Sequence, residues 1–484
     1  MTMVGGKQTK SLWGIGVLNK LDNWPLKVAI AIFLMCLAFR LVCYQSATLE
    51  TNLDDPSGES VKKSESESEA AQLPSPPPQY VDISNLQNAS GEIMALSPPP
   101  LVDKTDPSQS EDAQSSPDDH VKEADGGNST EESDSGKCDV FVGDWIPNPS
   151  GPMYTNSSCP LIEAPQNCMR NGRTDSEFLY WKWNPRNCEL PPFDPQRFLE
   201  SMRNKAWALI GDSISRNHAQ SLLCMLSTVE QPKEVYRDEH HKSKRWHFSS
   251  FNFSLSNIWS PFLLKAAIFE DDNGISSAPA QLHFDKLDTK WADLYPNLDY
   301  VVISSGQWFL KAAIYYENDT EVGCHICPGR NLTETGFAYA YQRALNRVLS
   351  FVSASKHRGT TFFRMATPDH FEGGEWHNGG TCPKQSPAKT GEIEIKDLHH
   401  YLRDAELEEF VKASAKAEEN GVKLKLLDFT NLLLTRPDGH PGAYREFQPF
   451  ASGKNSTIRD CLHWCLPGPI DYLNDVIMQQ IDDG

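Results

Sequence analysis

The chain has 484 residues and a formal net charge of −20, with 39% apolar and 10% aromatic residues. That length leaves room for an enzyme-sized core, and the acidity excludes a nucleic-acid binder, which needs a basic stripe. The charge is uneven: Thr51–Lys137 carries 19 acidic and 5 basic residues and supplies most of the imbalance.

The first predicted element is "WPLKVAIAIFLMCLAFRLVCY", residues 24–44. It is mostly apolar and close to the ~20 residues that cross a bilayer as a helix. Arg40 lies near its distal end, where a long side chain snorkels to the interface, and Trp24 and Tyr44 suit the two boundary layers. Lys7, Lys10, Lys20 and Lys27 precede or open the span, while Glu50, Asp54 and Asp55 follow it. The positive-inside rule therefore leaves a cytosolic tail, residues 1–23, and puts everything after Tyr44 on the far side. A cleaved signal peptide is the competing reading, but its apolar core is only ~7–15 residues and the segment before this span is long. Residues 45–137 hold "PSPPP", "SPPP" and "KKSESESEA" with few aromatics. Such a chain buries too little apolar surface to offset its ordering entropy, so an extended, disordered acidic stem is predicted.

Seven Asn-x-Ser/Thr sequons, at Asn88, Asn128, Asn156, Asn252, Asn318, Asn331 and Asn455, all lie beyond the span. Ten cysteines also follow it: Cys138, Cys159, Cys168, Cys188, Cys224, Cys324, Cys327, Cys382, Cys461 and Cys465. An even set in an oxidising lumen reads as up to five disulfides, with the pairing open. Cys324 and Cys327, in "CHIC", also fit half a zinc knuckle, but no second pair with that spacing follows, and no metal is expected.

From Cys138 onward buried strands alternate with helices. Ala206–Ile210 is a short continuous apolar run, as in a strand covered on both faces. After Gly211-Asp212, the residues Ala219, Leu222, Leu223 and Leu226 give a helical stripe. Further strands are predicted at Tyr300–Ser304, Thr361–Ala366 and Val422–Phe429. Between them "FAYAYQRALNRVLSFV" and "LRDAELEEFVKASAKAEENG" read as amphipathic helices, the second stopping at Gly421. The alternation predicts a three-layer α/β/α sandwich with a mainly parallel, flavodoxin-like sheet.

Ser213 stands at a strand-to-helix switch, where ligands bind in open α/β sheets and helix N–H groups face an anion. As a bland alternative it is the helix N-cap. A nucleophilic serine needs a histidine base oriented by a carboxylate. Asp-x-x-His supplies both, and occurs at Asp238/His241, Asp397/His400 and Asp460/His463. The first two lie in charged, solvated-looking runs, whereas "RDCLHWCLPGPID" has flanking cysteines able to fix the turn. His440, in "RPDGHPGAY", is the remaining rival.

"GDSISRN" together with "DCLHWCLPG" resembles the plant trichome birefringence-like family of polysaccharide O-acetyltransferases, related to SGNH/GDSL-type esterases. The resemblance runs from Cys138 to the C-terminus through "CDVFVGDWIPNPSGPMYTNSSCP", "NCMRNGRTDSEFLYWKWNPRNCELPPFD" and "HFEGGEWHNGGTC". It implies an SGNH-type luminal catalytic domain at 138–484, with a Cys- and Trp-rich part to residue 200 and an esterase-like part after it. It also implies Ser213 as nucleophile, His463 as base, Asp460 as orienting acid, and a single-pass type II protein of the Golgi membrane. Many members have a histidine and paired tryptophans where this chain has Gln307, Trp308 and Phe309. "EVYRDEHHKSKRWHF" and "NIWSPFLLKAAIFED" look most like the branch acting on mannan-type hemicellulose, with the xyloglucan branch next.

The implied chemistry needs an acetyl donor, either acetyl-CoA or an acetylated intermediate, a cell-wall polysaccharide acceptor, and no bound cofactor. Beside the Ser213 N–H, Arg216 and the Gly306 backbone are candidate oxyanion donors. Tyr180, Trp181, Trp183, Phe371 and Trp376 are candidate stacking faces for sugar rings, although large aromatics are more often core. A polysaccharide acetylesterase and a noncatalytic wall-polysaccharide binder remain as alternatives.

Overall fold

The computed structural model describes residues 138–271, 274–451 and 458–483. The predicted tail at 1–23, the span at 24–44, the stem at 45–137 and the sequons at Asn88, Asn128 and Asn455 lie outside the described residues. Among the described residues no helix is long and apolar enough to cross a membrane.

The chain opens with β1 (Gly143–Pro147) and β2 (Trp181–Pro185), an antiparallel pair, followed by α1 (Pro195–Ser201). Next come β3 (Ala206–Gly211), α2 (Ser213–Leu226), β4 (Lys233–Arg237), β5 (Lys244–Phe248), β6 (Phe253–Trp259), β7 (Leu264–Ala267), β8 (Ala280–Leu287) and a short α3 (Thr289–Ala292). The second half carries β9 (Tyr300–Ser304), β10 (Ala313–Glu317), β11 (Thr320–His325), α4 (Gly336–Ser353), β12 (Thr360–Arg364), α5 (Asp397–Glu419), β13 (Lys423–Leu427), α6 (Thr430–Leu434) and α7 (Tyr472–Asp482).

Seven strands form the central sheet in the order β13-β12-β9-β3-β6-β5-β4. From β13 to β6 the neighbours are parallel, and β5 and β4 extend the sheet antiparallel. A second sheet, β11-β10-β8-β7, is also mixed, since β10 pairs parallel with β8 and antiparallel with β11. The central sheet is thus parallel across five of its seven strands, and the antiparallel edge hairpin and the second, mixed sheet are additions to the predicted sandwich. The parallel part is what buried apolar runs reveal, whereas the short, half-exposed hairpin strands hide in charged stretches such as "YRDEHHKSKRW".

Strand alternation divides the core in two. Trp207, Leu209, Val302, Phe362 and Leu427 join one cluster with Leu222, Leu223, Leu473 and Val476 of α2 and α7. Ala208, Ile210, Val301, Ile303 and Phe363 point the other way, onto Val348, Leu349 and Leu402 of α4 and α5. Successive side chains of a strand face opposite sides, so a strand apolar at every position is covered on both. The layers place the carboxyl ends of β3, β9 and β12 side by side.

All ten cysteines of the described part are paired: Cys138–Cys188, Cys159–Cys224, Cys168–Cys465, Cys324–Cys327 and Cys382–Cys461. Two of these bridges end in the segment 461–465.

Candidate active site

The turn after β3 makes Ser213 open a helix. Gly211 takes φ +150°, and a Cβ there would lie 1.9 Å from the carbonyl oxygen of Ser304 on β9, so the position admits only glycine. Asp212 caps α2, its carboxylate accepting from the Ile214 N–H at 3.0 Å. The cap is therefore Asp212, and Ser213 is the half-buried first residue of the helix. Burial pushes the Asp212 carboxyl up, while Arg364 and His463 pull it back by charge. Arg364 is 1% exposed, with Nη2 3.4 Å from Ser215 Oγ.

The second half of the site is the turn 460–465. Asp460 Oδ1 accepts from the backbone N–H groups of Leu462 at 3.2 Å and His463 at 3.0 Å. Its Oδ2 lies 3.0 Å from His463 Nδ1 and 2.8 Å from Arg445 Nη1. Burial works against this charge, yet His463 and then Arg445 hold the carboxyl far below the usual carboxylate range. An ionised Asp460 only accepts, so His463 Nδ1 carries the hydrogen and Nε2 keeps the lone pair a base needs. Nε2 is buried and has no hydrogen-bond partner among the described residues. A Ser213–His463 hydrogen bond is thus not formed in this structure; such bonds often tighten only when substrate is bound.

What joins the halves is Asn217, one turn along α2 from Ser213 and on the same face. Its Oδ1 accepts from the Trp464 N–H at 2.7 Å and its Nδ2 donates to the Trp464 carbonyl at 3.3 Å. Gly442 and Asp460 exchange two backbone hydrogen bonds, the His370 N–H reaches the Cys461 carbonyl at 2.9 Å, and the Cys465 N–H reaches Gly439 at 2.9 Å. With the Cys382–Cys461 and Cys168–Cys465 bridges, these bonds fix the turn on every side.

The rival motifs fall elsewhere. Asp238 and His241 form the tip between β4 and β5, and Asp397 and His400 sit exposed on the first turn of α5. His440 is buried, with Nδ1 2.7 Å from the His463 carbonyl and Nε2 2.7 Å from His370 Nδ1.

Of the oxyanion candidates, Gly306 lies just beyond Ser304, which pairs with Gly211 across β9 and β3. Arg216 is engaged by a carboxylate: its Nε is 3.5 Å from Glu163, which also holds Lys244 at 2.7 Å. Among the aromatic candidates Trp183 and Phe371 are core, 3% and 7% exposed, with Trp183 Nε1 donating to the Val140 carbonyl. Neither presents a free face here, which corrects their reading as stacking platforms. Trp181 is half-buried against the core, while Tyr180 and Trp376 are exposed. Trp376 stands on a loop that Cys382–Cys461 joins to the turn 460–465.

Among the described residues, Cys324, Cys327 and Glu334 have ligand atoms close enough together for a metal. Their sulfurs are joined to each other, which leaves neither thiolate to coordinate one.

Residues 190–480 match the family described as a GDSL/SGNH-like acyl-esterase family found in Pmr5 and Cas1p, and residues 136–189 match the PMR5 N-terminal domain. Protein trichome birefringence-like 23 of Arabidopsis thaliana is 60% identical over 351 residues, covering 72% of this chain and 81% of that protein. The chain belongs to the trichome birefringence-like family. Xyloglucan O-acetyltransferase 1 of Populus trichocarpa is 41% identical over 351 residues, covering 71% of this chain and 81% of that protein. Xyloglucan O-acetyltransferase 2 of the same organism is 42% identical over 356 residues, covering 72% and 83%.

In this trichome birefringence-like chain, sequence reasoning missed a second carboxylate–imidazole pair. Asp369 Oδ2 lies 3.0 Å from His399 Nε2, Oδ1 2.6 Å from Lys396 Nζ, and Gln307 Nε2 reaches Oδ2 at 3.4 Å. His399 holds the carboxyl well below its ordinary range despite burial. The "DLHH" run signalled a histidine here, but His400 is the exposed neighbour and His399 faces inward.

Proposed function

We propose that this chain moves acetyl from an activated donor, acetyl-CoA or an acetylated intermediate, onto a hydroxyl of a plant cell-wall hemicellulose. The observation that carries the reading is the pairing of His463 with ionised Asp460 on a turn tied through Asn217 to the helix that Ser213 opens. In this reading Ser213 Oγ gives its proton to His463 Nε2 and attacks the acetyl carbonyl. Collapse of the tetrahedral intermediate breaks the bond to the donor, whose leaving group takes the proton from His463. The acceptor hydroxyl then loses its proton to His463, attacks the acyl-serine, and the returning proton regenerates Ser213. Asp460 holds the tautomer throughout. The N–H groups of Ser213 and Gly306 receive the oxyanion, each worth on the order of 3 kcal/mol. Arg216 joins them only if it leaves Glu163.

The acceptor is a mannan-type polymer or xyloglucan. Residues 234–248 and 257–271 point to the first, and the two relatives named for xyloglucan point to the second. The reading includes a Golgi type II protein held by residues 24–44 with its catalytic domain in the lumen. Five paired disulfides and three exposed sequon asparagines, Asn252, Asn318 and Asn331, support an oxidising lumen.

The match to a family described as acyl-esterases favours a second reading, hydrolysis, in which water replaces the sugar hydroxyl. The purified full-length chain, given an acetyl donor and manno- or xylogluco-oligosaccharides, separates these readings by mass analysis. Acetylated oligosaccharide, lost in Ser213→Ala, is the expected result. Acetate release that needs no acceptor means an esterase, and glycan binding without reaction means a binding protein.

A further inference from the structure

Three hydrogen-bond contacts run in line through two buried rings. His370 Nε2 is 2.8 Å from the Leu434 carbonyl, His370 Nδ1 is 2.7 Å from His440 Nε2, and His440 Nδ1 is 2.7 Å from the His463 carbonyl. A carbonyl oxygen only accepts, so each outer nitrogen must carry a hydrogen, and the contact between the rings needs a third. Two neutral imidazoles bring only two. The rings are 6% and 4% exposed, so water does not substitute for a missing donor.

Resting on the catalytic reading above, we propose that His370 and His440 are positioning residues for His463. The pair grips the His463 backbone fully only when it shares one extra proton. With that proton all three contacts are bonds. Without it one contact must go without a hydrogen: the gap falls at Leu434, between the rings, or at His463, and in the last case a lone pair of His440 faces the His463 carbonyl.

The surroundings suit a charge that comes and goes. Trp464 stacks on His440 with ring centres 4.1 Å apart, and Arg173 donates to the His440 carbonyl at 3.0 Å. Burial drives both rings toward neutrality, most strongly of all the influences on them, and repulsion from His370 adds to this at His440. Anionic Asp369 faces both rings and Asp460 faces His440, and both favour retention; His399 and Lys396 oppose it at His370. The folded pair binds its extra proton less tightly than free histidines do, so the proton is present in acid and lost as pH rises.

The test is the pH profile of acetyl transfer by the full-length chain, with kcat and KM separated. His370→Gln keeps a donor facing His440 at every pH. It is expected to lose the fall in kcat that accompanies deprotonation of the pair, whose pKa burial brings down to about 4 at His370 and about 3 at His440. His440→Phe keeps a ring on Trp464 but frees the His463 carbonyl. Its kcat should fall on the order of 10²-fold at every pH, with KM unchanged, as expected when a catalytic group is displaced by about 1 Å. Melting temperature is followed for both. Wild-type and His370→Gln profiles that superimpose, or a folded His440→Phe with wild-type kcat, overturn the proposal. Ser213→Ala run beside them separates the two ideas: if it still transfers acetyl, the catalytic reading has failed, and if it alone is inactive, only the positioning role has.

Discussion

Asp460 gathers more of the site's geometry than any other side chain, since its two oxygens take His463 Nδ1, two backbone N–H groups and Arg445. In Asp460→Asn the amide presents a hydrogen where His463 needs an acceptor and inverts the tautomer. Transfer should drop by roughly 10⁴-fold in kcat with the fold kept, measured by steady-state kinetics beside a circular-dichroism melt. The depressed carboxyls of Asp460 and Asp369 also give stability that is present above their unfolded pKa of about 4 and is lost as pH falls below it. Glu406 has the opposite sign. It is fully buried, accepts from Tyr341 and the Ala366 N–H, and burial lifts its carboxyl to about 8. Its folded pKa exceeds its unfolded one, so stability is lost as pH rises from about 4 to about 8. Glu406→Gln should therefore flatten the decline of melting temperature over that range; an unchanged slope assigns the decline to another group. Ser213, Asp460 and His463 were legible because a turn beside an apolar strand and a cysteine-flanked Asp-x-x-His are local patterns. Asn217, Arg445 and His370 were not, because each meets the site across long stretches of chain and carries no mark of that in its neighbours.

Elements set these residues in place, and two of them can be tested directly. Gly211→Ala puts a methyl 1.9 Å from the Ser304 carbonyl, a backbone atom in a paired strand, at a φ that disfavours any side chain. Loss of more than about 3 kcal/mol in denaturant unfolding is expected, from clash and strain together. Removing the Cys168–Cys465 bridge, which closes 297 residues of chain, should cost about 2–5 kcal/mol. Removing Cys382–Cys461 instead should lower kcat more than its melting temperature implies, because that bridge ends on the residue after Asp460. At this scale the buried strands β3, β9 and β12 were readable as apolar runs, the edge strand β13 as the alternating "VKLKLLDFT", and α4 as a stripe. The other strands were not: β4, β5 and β11 are hairpin strands rich in charged or polar residues, β6 and β8 alternate apolar with polar residues, and β7 and β10 are short. α5 starts at Asp397, earlier than its predicted start near Leu402, because "KDLHHY" looks like a solvated loop until His399 and Leu402 are seen to be buried.

Across the whole chain the excess acid sits mainly in residues 51–137, and the catalytic part is the milder share of the −20. A type II layout makes a plain prediction: in sealed membrane vesicles the part beyond Tyr44 resists added protease until detergent is present. Asn252, Asn318 and Asn331 should then carry glycans removable only after permeabilisation. Protease access without detergent would put the catalytic domain on the cytosolic side. Membership of the family was readable in long motifs, whereas the choice between mannan and xyloglucan was not, because "EVYRDEHHKSKRWHF" and "NIWSPFLLKAAIFED" point one way and the relatives named for xyloglucan the other. The central claim is that acetyl passes through Ser213. Rapid quenching of the full-length chain with an acetyl donor, followed by peptide mass analysis, should find one acetyl on the peptide bearing Ser213 when acceptor is withheld. That label should transfer to hemicellulose oligosaccharide when acceptor is supplied. Acetylated oligosaccharide formed by a chain that never carries the label, or formed equally well by Ser213→Ala, would contradict the account.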